Sequence, residues 1–461
     1  MSSPTELDPN GLLAELLTAD DRDHCPGARP IVSYRDDDEA SYLGELDKHA
    51  STRIDLHRRG HWHGLYAELE SDSLVPPAGP PREALLEQRW HTARPIVLPG
   101  LVDLEAPQLA SIASRAQLHE QLQKRGGLRA FSNSTLADSS GAFRVDDTER
   151  KPGHDGRDIE RISIHWRESD QEGAKAMESL WGKSGWLADL DDDTSLRMRL
   201  SFGREVDDDA SRKLDGHRRV SELGAQLFPE TQALATHPWL NEFLERQVDG
   251  PVFFTQHIAY WNALGGGALM HHDAFHEPIE GGQRGVLYTQ LSGATLWFAV
   301  SIEDLCRRVI EFVGYLEDGE LAWVRKQLFP RPDDFDFVVR MCKRFPRVRK
   351  ELGRAGCGKL SALVNQGPEF SALLADAGHA VILRAGDAIL LPNQGLERTC
   401  MHSVFGVSEE PGFALSLAIR ESEPSAPPEP AQNSDRGDRR DHPRRGGGGR
   451  RGRRSSSRGR R

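Results

Sequence analysis

Met270-His271-His272-Asp273 follows an apolar segment, residues 253–261, and a glycine run, residues 265–267. On a β-strand, residues i and i+2 project to the same side. His271 and Asp273 can therefore direct a ring nitrogen and a carboxylate oxygen at one point. A second histidine, His402, stands further along the chain. Two histidines and one carboxylate are the ligand set that holds Fe(II) from one side and leaves its other coordination positions open.

The ligand assignment has competitors. A His-x-Asp tripeptide is a weak signal by itself, because a chain with 18 His contains such matches by chance. His272 faces away from His271 if the strand is regular, and His276 can serve only if the chain turns after Asp273. We favour His271 over both. His402 is the only histidine between Pro392 and the C-terminal tail, so it is the candidate for the second imidazole.

Composition predicts an acidic protein of the cytoplasm. Hydrophobic residues make up 37% of the 461 residues and charged residues 28%, and no apolar run approaches the roughly 20 residues of a membrane span. The first ten residues are polar and acidic, unlike a signal or transit peptide. The five cysteines are far apart and form no CxxC pair, which is typical of reduced thiols rather than of a disulfide frame or a zinc site.

Charge is distributed unevenly along the chain. The 12 Arg and 3 Asp of residues 435–461 give this segment a charge of +9, so the preceding 434 residues carry −21. Residues 421–434 are rich in Pro, Glu and Ser, and residues 435–461 in Arg and Gly; neither segment can bury enough apolar surface to become ordered. The Arg/Gly-rich tail is similar to the RGG segments of RNA-associated proteins. It predicts salt-sensitive contact with RNA, the ribosome or another polyanion.

Hydrophobic periodicity divides the rest of the chain into three parts. Residues 1–80 are a polar N-terminal region, and residues 81–250 are a helix-rich region that contains the first strands. Residues 251–420 hold two blocks of strands separated by a helical insert, residues 302–376, an arrangement that favours one β-domain with an excursion over βαβ alternation. Within the second part, residues 130–160 are predicted to be loop-rich, residues 174–181 helical and residues 231–247 one helix.

Four pieces of the sequence, in this order, resemble the Jumonji-C-like branch of the cupin oxygenases. They are Arg94-Pro95-Ile96-Val97-Leu98-Pro99-Gly100, the glycine turn of residues 266–273, Thr289-Gln290-Leu291-Ser292-Gly293-Ala294-Thr295-Leu296-Trp297, and Gly386-Asp387-Ala388-Ile389-Leu390-Leu391-Pro392. The likeness covers roughly residues 90–420, with clear motifs in residues 250–300 and 380–420.

The resemblance implies an α+β fold with a double-stranded β-helix core (a cupin or jelly-roll), whose first barrel strands lie within residues 81–250. It further implies Fe(II) held by His271, Asp273 and His402, with 2-oxoglutarate as the co-substrate that is converted to succinate and CO₂. No catalytic side chain beyond the metal ligands is implied. The cofactor would carry the difficult step, and the protein would orient the substrate and exclude side reactions.

The co-substrate site departs from the family pattern. Jumonji-C enzymes commonly carry a lysine two residues after the hairpin glycine, where this chain has Thr295. The distal carboxylate of 2-oxoglutarate still needs a cation. Arg420, at the end of the last predicted strand, matches the position used in other branches of the superfamily, although an arginine facing water is an equal alternative. Tyr288 or Thr289 would add a hydroxyl.

The leading hypothesis is an Fe(II)- and 2-oxoglutarate-dependent oxygenase that hydroxylates a protein side chain or a metabolite. Thr295 favours an alternative, a cupin metalloenzyme that does not use 2-oxoglutarate. A non-catalytic cupin-like binding protein is a third hypothesis. The helical insert either caps the mouth of the barrel or mediates formation of a homodimer.

Overall fold

The computed structural model describes residues 50–58, 61–69, 80–98, 100–137, 143–152, 158–166, 180–186, 195–201, 214–248, 250–274, 283–319 and 321–421. These residues combine α-helices with antiparallel sheets, so the predicted α+β class is confirmed. The chain divides into two units, residues 1–423 and 424–461. The second unit, with the Arg/Gly-rich tail and its predicted disorder, lies outside the described residues.

The described strands pair antiparallel in three sheets. The strands are β1 (Ala50–Arg58), β2 (His61–Leu69), β3 (Ile96–Leu98), β4 (Phe143–Pro152), β5 (Asp158–Trp166), β6 (Leu180–Trp186), β7 (Leu196–Ser201), β8 (Val252–Asn262), β9 (Gln283–Gln290), β10 (Ala294–Ser301), β11 (Ala380–Arg384), β12 (Ala388–Pro392), β13 (Cys400–Gly406) and β14 (Gly412–Glu421). The large sheet has the order β3-β12-β9-β14-β8-β7-β6-β5-β4, the small sheet has the order β11-β10-β13, and β1 and β2 form a separate pair.

The helices fall into an N-terminal group and the insert. The first group is α1 (Pro80–His91), α2 (Ile112–Leu122), α3 (Gly127–Leu136), α4 (Leu214–Leu227), α5 (Thr231–Ala235) and α6 (Pro238–Val248). The insert holds α7 (Ile302–Asp318), α8 (Ala322–Leu328), α9 (Pro332–Cys342), α10 (Phe345–Leu352), α11 (Ser361–Gln366) and α12 (Pro368–Asp376). None of the described helices is long and apolar enough to cross a membrane.

The large sheet has one apolar face and one face that carries polar groups. On β7, Met198 and Leu200 belong to the hydrophobic core, whereas Arg197 and Arg199 alternate with them and therefore point to the opposite side. The N-terminal helices cover the apolar face; Phe228, just after α4, packs on Phe413 of β14 with the ring centroids 6.3 Å apart. The opposite face of the sheet carries the polar side chains.

The helical insert builds a second hydrophobic core against the small sheet. Its first helix, α7, is capped at its N-terminus by Ser301, whose hydroxyl accepts the Asp304 N–H at 3.1 Å, and is followed by Gly319 with a left-handed φ of 87°. Leu305 and Val309 of α7 are fully buried in this core together with Leu296 of β10. The insert is thus anchored to the sheet from which it leaves.

Three predictions of secondary structure are wrong. The stretch predicted to be loop-rich contains part of α3 and all of β4, and residues 180–186 are strand β6 where a helix was predicted up to residue 181. Strands β4 and β6 gain ladder hydrogen bonds from neighbouring strands, which their polar composition does not signal. The single helix predicted over residues 231–247 is two helices, because Pro238 cannot donate into a continuous ladder.

Glu369, in the first turn of α12, gives a stability prediction. The side chain is 4% exposed, and burial raises its pKa to about 7 from an ordinary 4.5, opposed by its own backbone N–H. The unfolded chain ionises at lower pH than the native one, so native stability falls between about pH 4.5 and 7. We expect Glu369→Gln to be more stable than the parent by roughly 3 kcal/mol at pH 8 and nearly equal to it at pH 4.

Urea unfolding of both proteins across this pH range measures the difference. Glu317→Gln, at an exposed position of α7, serves as the control and should follow the parent at every pH. A constant difference between Glu369→Gln and the parent from pH 4 to 8 would contradict a buried titrating carboxyl.

Candidate metal centre

His271, Asp273 and His402 converge on one point. One ligand atom from each lies within 4.8 Å of the other two. His402 Nε2 is 3.6 Å from Asp273 Oδ2, and His271 Nε2 is 3.9 Å from Asp273 Oδ1. Two imidazole nitrogens and a carboxylate at this spacing are able to hold one metal ion.

Backbone pairing brings the two histidines together. His271 N–H donates to His402 O at 2.9 Å, and His402 N–H donates to His271 O at 2.8 Å. His402 lies on β13, but His271 forms only an isolated bridge, and Asp273 lies beyond it in irregular chain. The two residues share a side as predicted, but the predicted regular strand from His271 to Asp273 is absent.

Gly267 allows this close approach. Its φ is +144°, and a Cβ added there would be 2.2 Å from the Val404 carbonyl oxygen. Beside it, Val404 N–H donates to Ala268 O at 2.9 Å. A residue with a side chain at position 267 would push the ligand segment away from β13.

Hydrogen bonding fixes the tautomer of His271. Its Nδ1 is 2.6 Å from Leu269 O, and since a carbonyl oxygen only accepts, Nδ1 must carry the proton. The lone pair then resides on Nε2, the nitrogen nearest Asp273. A backbone carbonyl that orients a ligating imidazole in this way is typical of metal sites.

The protonation states of His402 and Asp273 also favour the binding of a cation. Burial lowers the pKa of His402 to about 3, so this imidazole is neutral at physiological pH. Burial by itself raises the pKa of Asp273, but His402 and His271, followed by His272 and Arg199, outweigh that effect and hold it below the ordinary value. The ionised carboxylate supplies the negative charge of the ligand set.

His272 is excluded from the cluster by its own hydrogen bonds. Its Nδ1 accepts the Ala274 N–H at 3.2 Å, so its Nε2 donates to Gly353 O at 3.1 Å. The ring is thereby turned toward the helical insert. The other competitor, His276, lies outside the described residues.

The insert holds the ligand segment through Met270. Asn365 of α11 is 1% exposed, and its Oδ1 accepts the Met270 N–H at 2.9 Å. The Cys357 thiol donates to Met270 O at 3.3 Å. Sequence reasoning missed these contacts because roughly 90 residues separate the partners and no local pattern links them.

A cavity opens beside the three ligands. Residues of the large sheet, the small sheet and the ligand segment line it: Ile258, Tyr260, Asn262, Ala268, His271, Asp273, Val286, Tyr288, Trp297, Leu391, His402, Val404 and Ser416.

A buried polar network stands behind one wall of the cavity. Asn262 Nδ2 donates to the Tyr288 hydroxyl at 3.1 Å, and that hydroxyl donates to Gln290 Oε1 at 3.0 Å. Thr295 Oγ1 donates to the same Gln290 oxygen at 2.8 Å and accepts from Trp297 Nε1 at 3.0 Å. The residue at the expected lysine position is therefore engaged in orienting other side chains.

No protein-family model matches the chain, and a comparison with curated proteins finds no significant match.

The predicted co-substrate residues are dispersed. Tyr288 lines the cavity, whereas Thr289 alternates with it on β9 and points to the apolar side of the sheet. Arg420 is 3% exposed near the end of β14 and does not line the cavity. Its role as a carboxylate clamp stays a prediction.

His257 belongs to the core instead of the site. Its Nε2 donates to Phe254 O at 2.9 Å, and its ring fills the space that a Cβ at Gly224 of α4 would need, 2.3 Å from Nδ1. Burial lowers its pKa to about 4, so it is a neutral packing residue on the apolar face.

Proposed function

We propose that this protein is an Fe(II)- and 2-oxoglutarate-dependent oxygenase of the Jumonji-C-like type, which hydroxylates a protein side chain or a metabolite. The convergence of His271, Asp273 and His402 at the edge of a cavity carries the proposal. Two histidines and one carboxylate leave open positions for a chelating co-substrate and for oxygen.

The strand order supports a double-stranded β-helix core. From β8 onward, the chain passes from the large sheet to the segment bridged to β13, then back to β9, across to β10 and β11, back to β12, across to β13 and back to β14. Such alternation between two sheets is typical of a jelly-roll and supports this proposal. In a jelly-roll, the early ligands His271 and Asp273 and the late ligand His402 would reach the same interior.

The three ligands fit Fe(II), a metal commonly held by two histidines and one carboxylate. Fe(II) would be held by the three ligands, and with 2-oxoglutarate bound it would supply an oxidation that releases succinate and CO₂. Burial raises the pKa of Tyr260 to about 12 and also raises the pKa of Tyr288, so both phenols stay protonated. The Tyr260 hydroxyl can donate to a carboxylate oxygen, whereas the Tyr288 hydroxyl already donates to Gln290 Oε1. Trp297 stacks on His402 with the ring centroids 5.6 Å apart and helps to exclude water from that imidazole.

Production of succinate tests the proposal. We expect protein loaded anaerobically with Fe(II) to convert 2-oxoglutarate to succinate when oxygen is admitted, and the zinc-loaded protein to produce none, because zinc has no redox chemistry. An iron-loaded protein that holds its metal and yields no succinate above the zinc control would overturn the proposal.

One observation favours the second candidate, a cupin metalloenzyme that does not use 2-oxoglutarate. No lysine or arginine stands among the described residues that line the cavity, and a dicarboxylic acid in a buried site needs a cationic partner. Metal binding without any effect of 2-oxoglutarate on the protein's thermal stability would support this candidate.

The remaining predictions concern location and partners. The described cysteines Cys306, Cys342, Cys357 and Cys400 are free, which supports a reducing, cytoplasmic location. Contact of the tail with RNA or ribosomes falls outside the described residues and stays a prediction, as does the homodimer.

A further inference from the structure

The surface of the helical insert carries a block of positive charge. Residues 340–359 contain eight Lys or Arg side chains and one acidic side chain, Glu351. Seven of the eight cations are exposed to solvent: Arg340, Lys343, Arg344, Arg347, Lys350, Arg354 and Lys359. We call these seven side chains the basic patch. The segment that holds them adds +7 to a body, residues 1–434, whose net charge is −21.

The acid of this segment faces inward and draws the patch together. Glu351 of α10 is 6% exposed. Its Oε1 accepts the Lys359 N–H at 2.8 Å, and its Oε2 lies 2.8 Å from Arg354 Nη1. The 3₁₀ segment Ala355–Leu360 is thereby folded back on α10. Arg354 and Lys359 therefore lie beside the cations of that helix.

The cations of α10 lie on its solvent face. Val348 and Leu352 are fully buried in the second hydrophobic core. At about 100° per residue, Lys350 lies on the opposite side of the helix, and Arg347, three residues before it, shares that side. Arg344 stands just before the helix, where its carbonyl oxygen accepts the Arg347 N–H at 2.8 Å. The patch thus extends from the beginning of α10 to the loop that follows the helix.

Arginines elsewhere on the insert are paired with acids of their own helix. Arg307 Nη1 is 2.7 Å from Asp304 Oδ1, and Arg331 Nε is 2.8 Å from Asp334 Oδ2. Pairs at this spacing are what a solvated helix face usually shows. In the basic patch, by contrast, Arg354 alone has a carboxylate within ion-pair distance among the described residues. Like charges without counter-charges repel one another, which an anionic partner would relieve.

We propose that the basic patch binds a single-stranded nucleic acid through its phosphates. Each exposed Lys or Arg can neutralise one phosphate, and the planar guanidinium of Arg fits two phosphate oxygens. Residues 340–359 are all described and include no exposed aromatic side chain. Bases therefore have nothing to stack on, and the binding is nearly blind to base sequence. It is also independent of the oxygenase function.

The acidic remainder of the body restricts the shape of the partner. Exposed charges more than about 10 Å apart are largely screened at 0.1 M salt, so the local excess of cations decides what binds at the patch. The eight residues of α10 span about 12 Å. A flexible strand can follow this short surface without contacting acidic surface elsewhere. A flat anionic membrane would meet the acidic surface as well and be repelled.

A nucleic acid also fits the patch better than an acidic peptide does. Every nucleotide carries a phosphate, so even a short strand presents an unbroken row of negative charges. A peptide would need a run of about seven acidic residues to neutralise the same cations. The Arg/Gly-rich tail predicts contact with a polyanion too, and one nucleic-acid strand is long enough to contact both the patch and the tail.

The basic patch adjoins the metal-ligand segment. Gly353 O, next to Arg354, accepts a hydrogen bond from His272 Nε2 at 3.1 Å. His272 is the neighbour of the candidate ligand His271 in the chain. A strand bound at the patch would therefore lie close to the candidate metal centre.

The test is a titration of the full chain with fluorescein-labelled dodecauridylate, read by anisotropy at several NaCl concentrations. The variant Arg347→Gln/Lys350→Gln removes two exposed cations of α10. We expect its affinity at about 50 mM NaCl to fall at least about tenfold. The slope of log affinity against log salt should fall by about 1.4, since each phosphate contact on a single strand contributes about 0.7. The tail is present in both proteins and supplies the residual binding.

Arg307→Gln/Arg331→Gln is the matched control. It removes two exposed arginines of the same insert that are paired with Asp304 and Asp334. Both double variants change the net charge by the same amount, so a difference between them reports the patch itself. The control should bind the oligonucleotide as the parent does.

Equal affinity of the parent and Arg347→Gln/Lys350→Gln would mean that the tail alone holds the strand, and the proposal would be wrong. It would also be wrong if labelled decaglutamate, or vesicles of phosphatidylserine and phosphatidylcholine, bound more tightly than the oligonucleotide and lost affinity in the same variant. The partner would then be an acidic protein or a membrane. The titration involves no turnover, so its failure is distinct from failure of the oxygenase function.

Discussion

An Asp273→Ala variant is expected to lose metal binding. The carboxylate is the only anionic member of the ligand set, and it stands between the two imidazoles at 3.6 and 3.9 Å. Removal of groups that merely support metal ligands lowers affinity about 10- to 100-fold, so removal of this ligand should lower it by more than about 100-fold. Titration with Co(II), followed by its visible absorption, measures the affinity, and succinate formation should fall to background with it.

His272→Ala is the matched control, because it removes an adjacent imidazole that hydrogen-bonds to Gly353 O instead of facing the cluster. It should retain Co(II) affinity within a few-fold of the parent. If His272→Ala lost the metal while Asp273→Ala kept it, the ligand set would have to be reassigned.

The sequence was sufficient to predict the three residues that could hold a metal ion, but not the contacts that support them. His271 and Asp273 stand out because the tripeptide follows a glycine run, and His402 because it is the only histidine between Pro392 and the tail. The geometry behind the convergence differs from the expected strand: one backbone bridge to His402 and the close approach at Gly267 bring the ligands together. Such a juxtaposition depends on segments about 130 residues apart, and a single sequence carries no signal for it.

The fold was predictable where apolar periodicity is strong. The insert at residues 302–376 and the strands on either side of it follow from that pattern. Strand β13 was not recognised, since all seven residues of Cys400–Gly406 are buried and show no alternation.

The helical insert has two predicted roles, a cap over the mouth of the barrel or a dimer contact, and both lie outside the metal centre. The contacts to Met270 connect the insert directly to the ligand segment. A buried backbone N–H that loses its acceptor destabilises a protein by about 1–3 kcal/mol. The contacts to Met270 therefore either stabilise the fold as a whole or keep His271 and Asp273 in position.

The variant Asn365→Leu distinguishes these two roles of the contacts to Met270. The substitution keeps the approximate side-chain volume and removes the acceptor of the Met270 N–H, one residue before His271. We expect Co(II) affinity to fall about tenfold, measured well below the melting temperature, with a loss of stability of about 1–3 kcal/mol. Ser361→Ala removes only the distant 3.4 Å contact of the Asn365 amide and should leave the affinity unchanged. Equal stability losses in both variants with no change in metal affinity would mean that the insert supports the fold alone; a selective loss in Asn365→Leu would make it the element that positions His271 and Asp273.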